Sequence, residues 1–107
     1  MNETRLRQIE RRIGRVKDAL TTIGPMRPGS LTRQYKEPKK KTGSYYQISY
    51  THKMKSHTEY VSAGLVQPLS RQIAAYKRFK RLVERWVALA IERSKLSMGL
   101  AKTRAAK

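Results

Sequence analysis

The chain has 107 residues, and its 25 lysines and arginines against 7 aspartates and glutamates give a formal net charge of +18. This length predicts one small domain, and the charge predicts a polyanionic partner: nucleic acid first, with an anionic membrane surface or an acidic protein groove as alternatives. No cysteine is present, which excludes disulfides and thiolate metal sites.

The first predicted element is a helix over residues 3–23. Its apolar residues alternate in steps of three and four, a seam of about two and a half heptads that suits packing against one partner helix. Gly24 and Pro25 end it. Gly14 inside the helix either allows a close backbone approach or is simply tolerated. The seam consists of Leu6, Ile9, Ile13, Val16, Leu20 and Ile23.

Cations recur along the same helix. Arg7, Arg11 and Arg15 are spaced by four residues, with Arg5, Arg12 and Lys17 close by. Only three acidic residues oppose these six cations: Glu3, Glu10 and Asp18. Both a solvated face and a binding surface fit this run.

Residues 24–44 are predicted to be a basic loop, because they hold three of the four prolines and three of the six glycines. Basic residues around an aromatic ring suit a phosphate backbone with a base stacked nearby, so Tyr35 is a candidate stacking residue. A disordered, solubilising linker is the alternative. The candidate nucleic-acid-binding residues of this loop are Arg33, Tyr35, Lys36, Lys39, Lys40 and Lys41.

Residues 45–62 change to period two and predict a β-hairpin with a polar turn over 51–56. Tyr46, Ile48 and Tyr50 share one face, which Thr58 and Tyr60 are expected to continue on the returning strand. A two-stranded hairpin is marginal alone, so this face should lie on the helices. The tip carries His52, Lys53, Lys55 and His57, of which Lys53 and Lys55 are candidate nucleic-acid contacts. Either the tip enters a major groove, or the hairpin only covers the core.

A long helix is predicted over 66–98, with Pro68 in its first turn. Val87, Leu89 and Ile91 widen its apolar stripe beyond what one short helix would cover. Residues 99–107, which carry Lys102, Arg104 and Lys107, are predicted to be a basic tail.

The same helix has a cationic side suited to phosphate contact rather than to reading bases. Its candidate nucleic-acid-binding residues are Arg71, Lys77, Arg78, Arg81 and Arg85.

Enzymatic patterns are weak. Seven dispersed acidic residues do not form the carboxylate cluster that a nuclease needs for Mg²⁺. His52, His57 and Glu59 are metal-ligand types, but paired histidines at a hairpin tip are usually polar surface. We expect no enzymatic activity, no metal and no cofactor.

The stretch from Met26 to Ser97 resembles a family of small, uncharacterised basic proteins encoded near transposases and other mobile-element genes. The resemblance rests on the turn over 28–31 (PGSL), the strand that begins YYQISY and the helix start RQI. It implies a mobile-element or phage setting. Many relatives carry a short cysteine cluster where this chain has lysines, between residues 35 and 43, so the implied metal knuckle does not carry over.

These observations predict an α+β, mainly α fold: two long antiparallel helices with a β-hairpin and a basic loop inserted between them. The function expected first is non-enzymatic binding of DNA or RNA through the phosphate backbone. The alternative is a small adaptor or inhibitor that docks on a nuclease, a transposase-type protein or a ribonucleoprotein complex; a homodimer would use the same surface. Structural RNA binding, as in small ribosomal proteins, fits the charge equally well. No secretory signal and no stretch near about 18 apolar residues is present, so a cytoplasmic protein is expected.

Overall fold

A computed structural model of the protein describes residues 2–105, which form two α-helices, three β-strands and a short 3-10 helix. Their bounds are α1 (Asn2–Thr21), β1 (Ser30–Glu37), β2 (Thr42–His52), β3 (Lys55–Val61), the 3-10 turn Ala63–Leu65 and α2 (Val66–Ala105). The residues divide into two compact units. We call residues 2–23 and 79–105 the helical unit and residues 24–78 the sheet unit; α2 contributes to both. The prediction of one domain stays a prediction.

The core of the helical unit lies between α1 and the C-terminal part of α2. Ile9 is fully buried, and Ile13, Val16 and Leu89 are nearly so; four further side chains surround them: Leu20, Leu82, Trp86 and Leu96. The buried residues of α1 fall on the heptad-spaced positions, because steps of four and three return to the same side of a helix. Glu3 pairs with Arg104 and Glu10 with Arg93, so the two helices of this unit run antiparallel.

The structure extends α2 to Ala105 and so corrects the predicted end of the helix at residue 98. Leucine, alanine and lysine after Gly99 are good helix formers. The hydroxyl of Thr103 donates a hydrogen bond to the Gly99 carbonyl at 3.0 Å, and Arg104 lies 3.6 Å from Glu3. Part of the predicted basic tail is therefore helical; its last two residues, which include Lys107, lie outside the described residues.

The predicted fold class is wrong, because a three-stranded antiparallel sheet stands where a hairpin and a basic loop were expected. The strand order is β1-β2-β3, with β2 in the centre. Residues 24–44 contain all of β1 and the start of β2, so most of the predicted loop is strand. Only Leu31 and Tyr35 of β1 are even half-buried. Backbone pairing with β2 therefore holds this strand in place more than hydrophobic burial does.

One face of the sheet, the inner face, packs on the N-terminal part of α2. Ile48 is fully buried, with 0% of its surface accessible to water, and it forms a core with Val61 and Ile73. Leu31, Tyr46, Val66 and Leu69 surround this core. Full burial of one isoleucine stabilises the folded state by roughly 1.5–3 kcal/mol. The hydrophobic stabilisation of the sheet unit therefore comes mainly from a few side chains.

Gly29 precedes β1 in a backbone conformation that favours glycine, with φ at +143°. A Cβ at this position would lie 2.9 Å from Cγ1 of Ile48 and 3.1 Å from the Ser49 carbonyl oxygen. The close approach of the backbone to the core requires glycine here. Gly14 differs, since nothing lies within 4 Å of a Cβ built there, and it makes no close approach.

The turn between β2 and β3 is shorter than the predicted turn over 51–56. His52 and Lys55 are the last paired residues, which leaves a two-residue loop of Lys53 and Met54 with φ values of 52° and 65°. Positive φ at both central residues is what a type I′ turn requires, although asparagine and glycine are the usual occupants.

The register that follows from this turn corrects a second prediction. Val61, Glu59 and His57 pair with Tyr46, Ile48 and Tyr50 respectively and share their inner face. Tyr60 pairs with Gln47 on the opposite side of the sheet, which we call the outer face. The expectation that Thr58 and Tyr60 continue the Tyr46 face is wrong, because a shift of one residue transfers every side chain to the other face.

Candidate nucleic-acid interface

A cationic groove runs along one flank of the α1–α2 interface in the helical unit. Arg12 and Arg15 from α1 and Arg85 from α2 line a depression of about 380 Å³. All three side chains are exposed. Four apolar residues line the rest of this arginine groove: Val16, Ala19, Leu82 and Leu89.

The position of these arginines follows from the periodicity of α1. At about 100° per residue, Arg12 lies beside the seam formed by Ile9 and Val16, and Arg15 lies one turn further along the same flank. The seam fixes α1 on α2, so both guanidinium groups face the groove, which Arg85 also lines.

The arginine groove carries uncompensated charge. Among residues 2–105, no carboxylate forms an ion pair with Arg12, Arg15 or Arg85. Three guanidinium groups around one depression repel each other, and an anion between them would relieve that repulsion.

The cationic surface continues along α1. Gln8 and Arg11 join Arg12 and Arg15 around a second, shallower depression of about 240 Å³. Arg5 lies two turns before Arg12 on the same flank, and its Nη2 is 2.6 Å from Oε1 of Glu92. This ion pair neutralises one end of the surface, so its charge is concentrated between residues 8 and 15.

On the opposite flank of the same interface, several cations have partners. Glu10 lies 3.2 Å from Arg93, and the ammonium group of Lys17 lies 5.2 Å from the centre of the Trp86 ring. Glu3 and Arg104 pair further along. The two flanks therefore differ in free charge, although both border the same core.

The predicted residues of β1 and its turn lie in several places. Arg33 covers the Tyr35 ring, with its Cζ 5.6 Å from the ring centre, so one face of this candidate stacking residue is occupied. Lys36 points to the outer face, opposite Gly43. The other lysines occupy the turn between β1 and β2, where Lys41 has a φ of 52°: Lys39, Lys40 and Lys41. Lys40 is 3.9 Å from Glu37.

The hairpin tip presents Lys53 in the turn and Lys55 at the start of β3, both exposed. The predicted cationic side of α2 is divided between the units: Arg71, Lys77 and Arg78 belong to the sheet unit, and Arg81 and Arg85 belong to the helical unit. Of these five, Arg85 alone lines the arginine groove.

A polar network on the inner face links Arg27, Glu59 and Tyr50. Arg27 donates to Glu59 at 2.8 Å and lies over the Tyr50 ring, whose hydroxyl donates to the other Glu59 oxygen at 2.9 Å. The hydrogen bond from Arg27, followed by the one from Tyr50, lowers the pKa of Glu59. The hydrogen bond to Glu59 raises the pKa of Tyr50.

This network occupies two of the residues considered as metal ligands. Glu59 is held by Arg27 and Tyr50, and the ring of His57 stacks on Tyr50 with centroids 5.0 Å apart. Within residues 2–105, no group of three or more histidine, cysteine, aspartate or glutamate side chains is arranged to hold a metal ion. Over the same residues, neither helix has the length and apolarity needed to cross a membrane.

Comparison with known proteins adds no identity. No family model, no curated protein and no solved structure matches this chain. The resemblance to the family encoded near mobile elements therefore stays a prediction, and the surface chemistry of the chain is what bears on its function.

The candidate residues predicted from the sequence do not include Arg12 and Arg15, although both line the groove. The cationic run of the first helix is an available signal, but its every-four spacing groups Arg15 with Arg7 and Arg11 rather than with Arg12, its neighbour in the groove. Arg12 becomes part of a site only because folding brings it to the same depression as Arg85, which lies 73 positions later in the chain.

Proposed function

We propose that this protein is a non-enzymatic nucleic-acid-binding protein that holds phosphate groups in the arginine groove. The observation that carries the proposal is the convergence of Arg12, Arg15 and Arg85 around one depression without an ion-paired carboxylate among the described residues. Guanidinium groups bind phosphate oxygens through charge-assisted and often bidentate hydrogen bonds. The net charge of +18 supports the same partner.

The groove is suited to the phosphate backbone rather than to base reading. Its polar side chains are arginines set over an apolar lining, with no amide side chain among the residues that line it. Binding of this kind is steeply salt-dependent, because each neutralised phosphate contributes about −0.9 to the log–log slope on duplex DNA. A mobile-element or phage setting rests on the resemblance alone.

The test compares two triple variants by fluorescence anisotropy with labelled duplex DNA, single-stranded DNA and structured RNA at several salt concentrations. Arg12→Gln/Arg15→Gln/Arg85→Gln removes the groove charges. Arg7→Gln/Lys95→Gln/Lys102→Gln removes three exposed charges of the same unit that do not line the groove. The two variants have the same net charge.

The groove variant should lose affinity by at least about tenfold, ~1.4 kcal/mol, and its salt slope should be less steep by roughly 2 to 3. The control variant should lose much less. Equal losses in the two variants would mean diffuse attraction of a polyanion to the whole chain and would exclude the groove as the site. Absence of binding by the wild-type protein would overturn the proposed function itself.

An exposed apolar strip on α2 favours the second candidate, an adaptor that docks on a nuclease, a transposase-type protein or a ribonucleoprotein complex. Val87, Ile91 and Met98 are each more than half exposed and are spaced by four and seven residues on one side of the helix. Light scattering tests what covers this strip. A monomer supports a separate protein partner, whereas a dimer that Ile91→Gln dissociates shows a second copy of the chain.

A further inference from the structure

The outer face of the sheet carries polar and aromatic side chains that the packing of the core does not require. Its side chains come from alternate residues of the three strands, and they are mostly serine, threonine, glutamine and tyrosine. It packs on no core cluster among the described residues, since the buried residues of the sheet are Ile48 and Val61 of the inner face. This face is therefore a broad polar surface open to solvent.

Two tyrosines stand on this surface. Tyr60 is 71% exposed and lies directly opposite Gln47 on the central strand. Tyr45, two residues before Gln47, is half-buried and is a diagonal neighbour of Tyr60, at about 7–8 Å in an antiparallel pair. Gln47 thus lies beside both rings.

The amide and hydroxyl groups around the rings can both donate and accept hydrogen bonds. Gln34 lies opposite Tyr45, and Thr32 lies opposite Gln47. The Gln34 amide donates to the Thr32 hydroxyl at 3.3 Å, which leaves its other donor and its carbonyl oxygen for a ligand. Such groups match the edges of unpaired bases.

The charge distribution on this face favours a negatively charged ligand. Both carboxylates of the strands, Glu37 and Glu59, belong to the inner face by the register of the sheet. No carboxylate of β1, β2 or β3 therefore stands on the outer face, whereas Lys36 does, and Lys39–Lys41 follow in the adjacent turn. A surface with cations at one end and no anion favours a negatively charged backbone.

We propose that the outer face binds a single-stranded segment of nucleic acid, with bases stacked on Tyr45 and Tyr60 and phosphates near Lys36 and the β1–β2 turn. The inference rests on the proposed function and specifies its ligand. Exposed aromatic rings on an antiparallel sheet stack on unpaired bases, and amide groups beside them bond to base edges. The bases of a duplex are already stacked and paired, so a flat surface of this kind discriminates against duplex.

The experiment compares Tyr45→Ala/Tyr60→Ala with Tyr45→Phe/Tyr60→Phe, using a fluorescein-labelled single-stranded oligonucleotide and its duplex. The alanine variant should lose single-strand affinity by about tenfold or more, while its duplex affinity changes less than about twofold. The phenylalanine variant keeps the rings and should bind within about twofold of wild type. Neither variant removes a cation, so the salt slopes should not change. Circular dichroism verifies that both variants are folded.

The results separate this inference from the proposed function. If the alanine variant binds single strands like wild type while the groove variant of Arg12, Arg15 and Arg85 does not, the outer face is excluded and the groove stands. Equal loss toward single strand and duplex, or a similar loss in the phenylalanine variant, overturns the stacking role. If wild type binds neither ligand, both proposals fall.

Photocrosslinking supplies a readout that does not depend on a substitution. Oligonucleotides that contain 5-bromouridine or 5-bromodeoxyuridine should crosslink to peptides that include Tyr45 or Tyr60. Crosslinks found only in peptides of the helical unit would overturn the inference.

Discussion

The helical unit and the sheet unit leave different chemistry in contact with solvent. In the helical unit, cations on one flank pair with Glu3 and Glu10, whereas Arg12, Arg15 and Arg85 on the other flank form no ion pair among the described residues. In the sheet unit, the charged network of Arg27 and Glu59 lies on the inner face, and the outer face is aromatic and neutral apart from Lys36.

Under the two proposals, the two units match different parts of a nucleic acid. Guanidinium groups attract phosphate without regard to sequence, and aromatic and amide side chains bind bases that are not paired. A chain of this size that carried only the guanidinium groups would bind any polyanion. A preference among nucleic acids would therefore arise from the aromatic and amide side chains.

Each unit has its own core, and the largest expected effects come from those cores. Ile9 and Ile48 are each fully buried, one per unit. Ile9→Ala and Ile48→Ala should each lower the free energy of unfolding by about 3 kcal/mol in urea denaturation, because each leaves a cavity. Ile91→Ala, at a half-exposed position, should change it by less than about 0.5 kcal/mol.

Hydrogen exchange locates the loss in each case. Ile48→Ala should accelerate exchange mainly in β1–β3, and Ile9→Ala mainly in α1. Equal acceleration in both units by either variant would show that the two units unfold together and would favour the single domain predicted from chain length.

Glycine substitutions should act in opposite directions in the two units. Gly29→Ala requires a strained φ and a shift of Ile48, and it should destabilise the protein by about 2 kcal/mol. Gly14→Ala fills open space in a helix and should stabilise it by about 1 kcal/mol. Thermal denaturation measures both. A stable Gly29→Ala protein would show that the approach to Ile48 can relax.

The smallest predicted effect is on the stability of the protein at acidic pH. The folded pKa of Glu59 is lowered, so the ionised form is favoured by folding. The stability that ionised Glu59 contributes is therefore fully present above the ordinary carboxyl pKa of the unfolded chain. It is lost as the pH falls through the lower pKa of the folded state.

Glu59→Gln should lower the melting temperature at neutral pH and make it depend less on pH in the acidic range. Tyr50→Phe keeps the contact with Arg27 and removes the weaker cause of the shift, so it should have a smaller effect on the same measurement. A steeper acid dependence in Glu59→Gln would contradict the role of this carboxylate.

The helical segments could be predicted because their apolar residues repeat at helical spacing over many turns. In α1, the heptad-spaced residues Ile9, Ile13 and Val16 are those that the structure buries. Periodicity cannot place α1 along α2, however, and the arginine groove depends on that placement.

The sheet was only partly predictable. β1 has no regular apolar alternation, and the prolines and glycines around it favoured a loop; β2 supplies the backbone pairing that makes it a strand. The turn at Lys53 and Met54 lacks the glycine or asparagine that usually marks positive φ. Without that signal, the sequence pattern predicts the wrong register and places Tyr60 on the buried side.

The order of the two units along the chain has a consequence for how such a protein can diversify. The sheet unit is one continuous stretch, residues 24–78, whereas the helical unit is made from the stretches on either side of it. A recombination event with boundaries near residues 23 and 79 would exchange a complete sheet, with both of its faces, and leave α1 and its partner segment unchanged. Under the two proposals, variation in the preferred form of nucleic acid would then be inherited with this one segment, separately from the arginine groove.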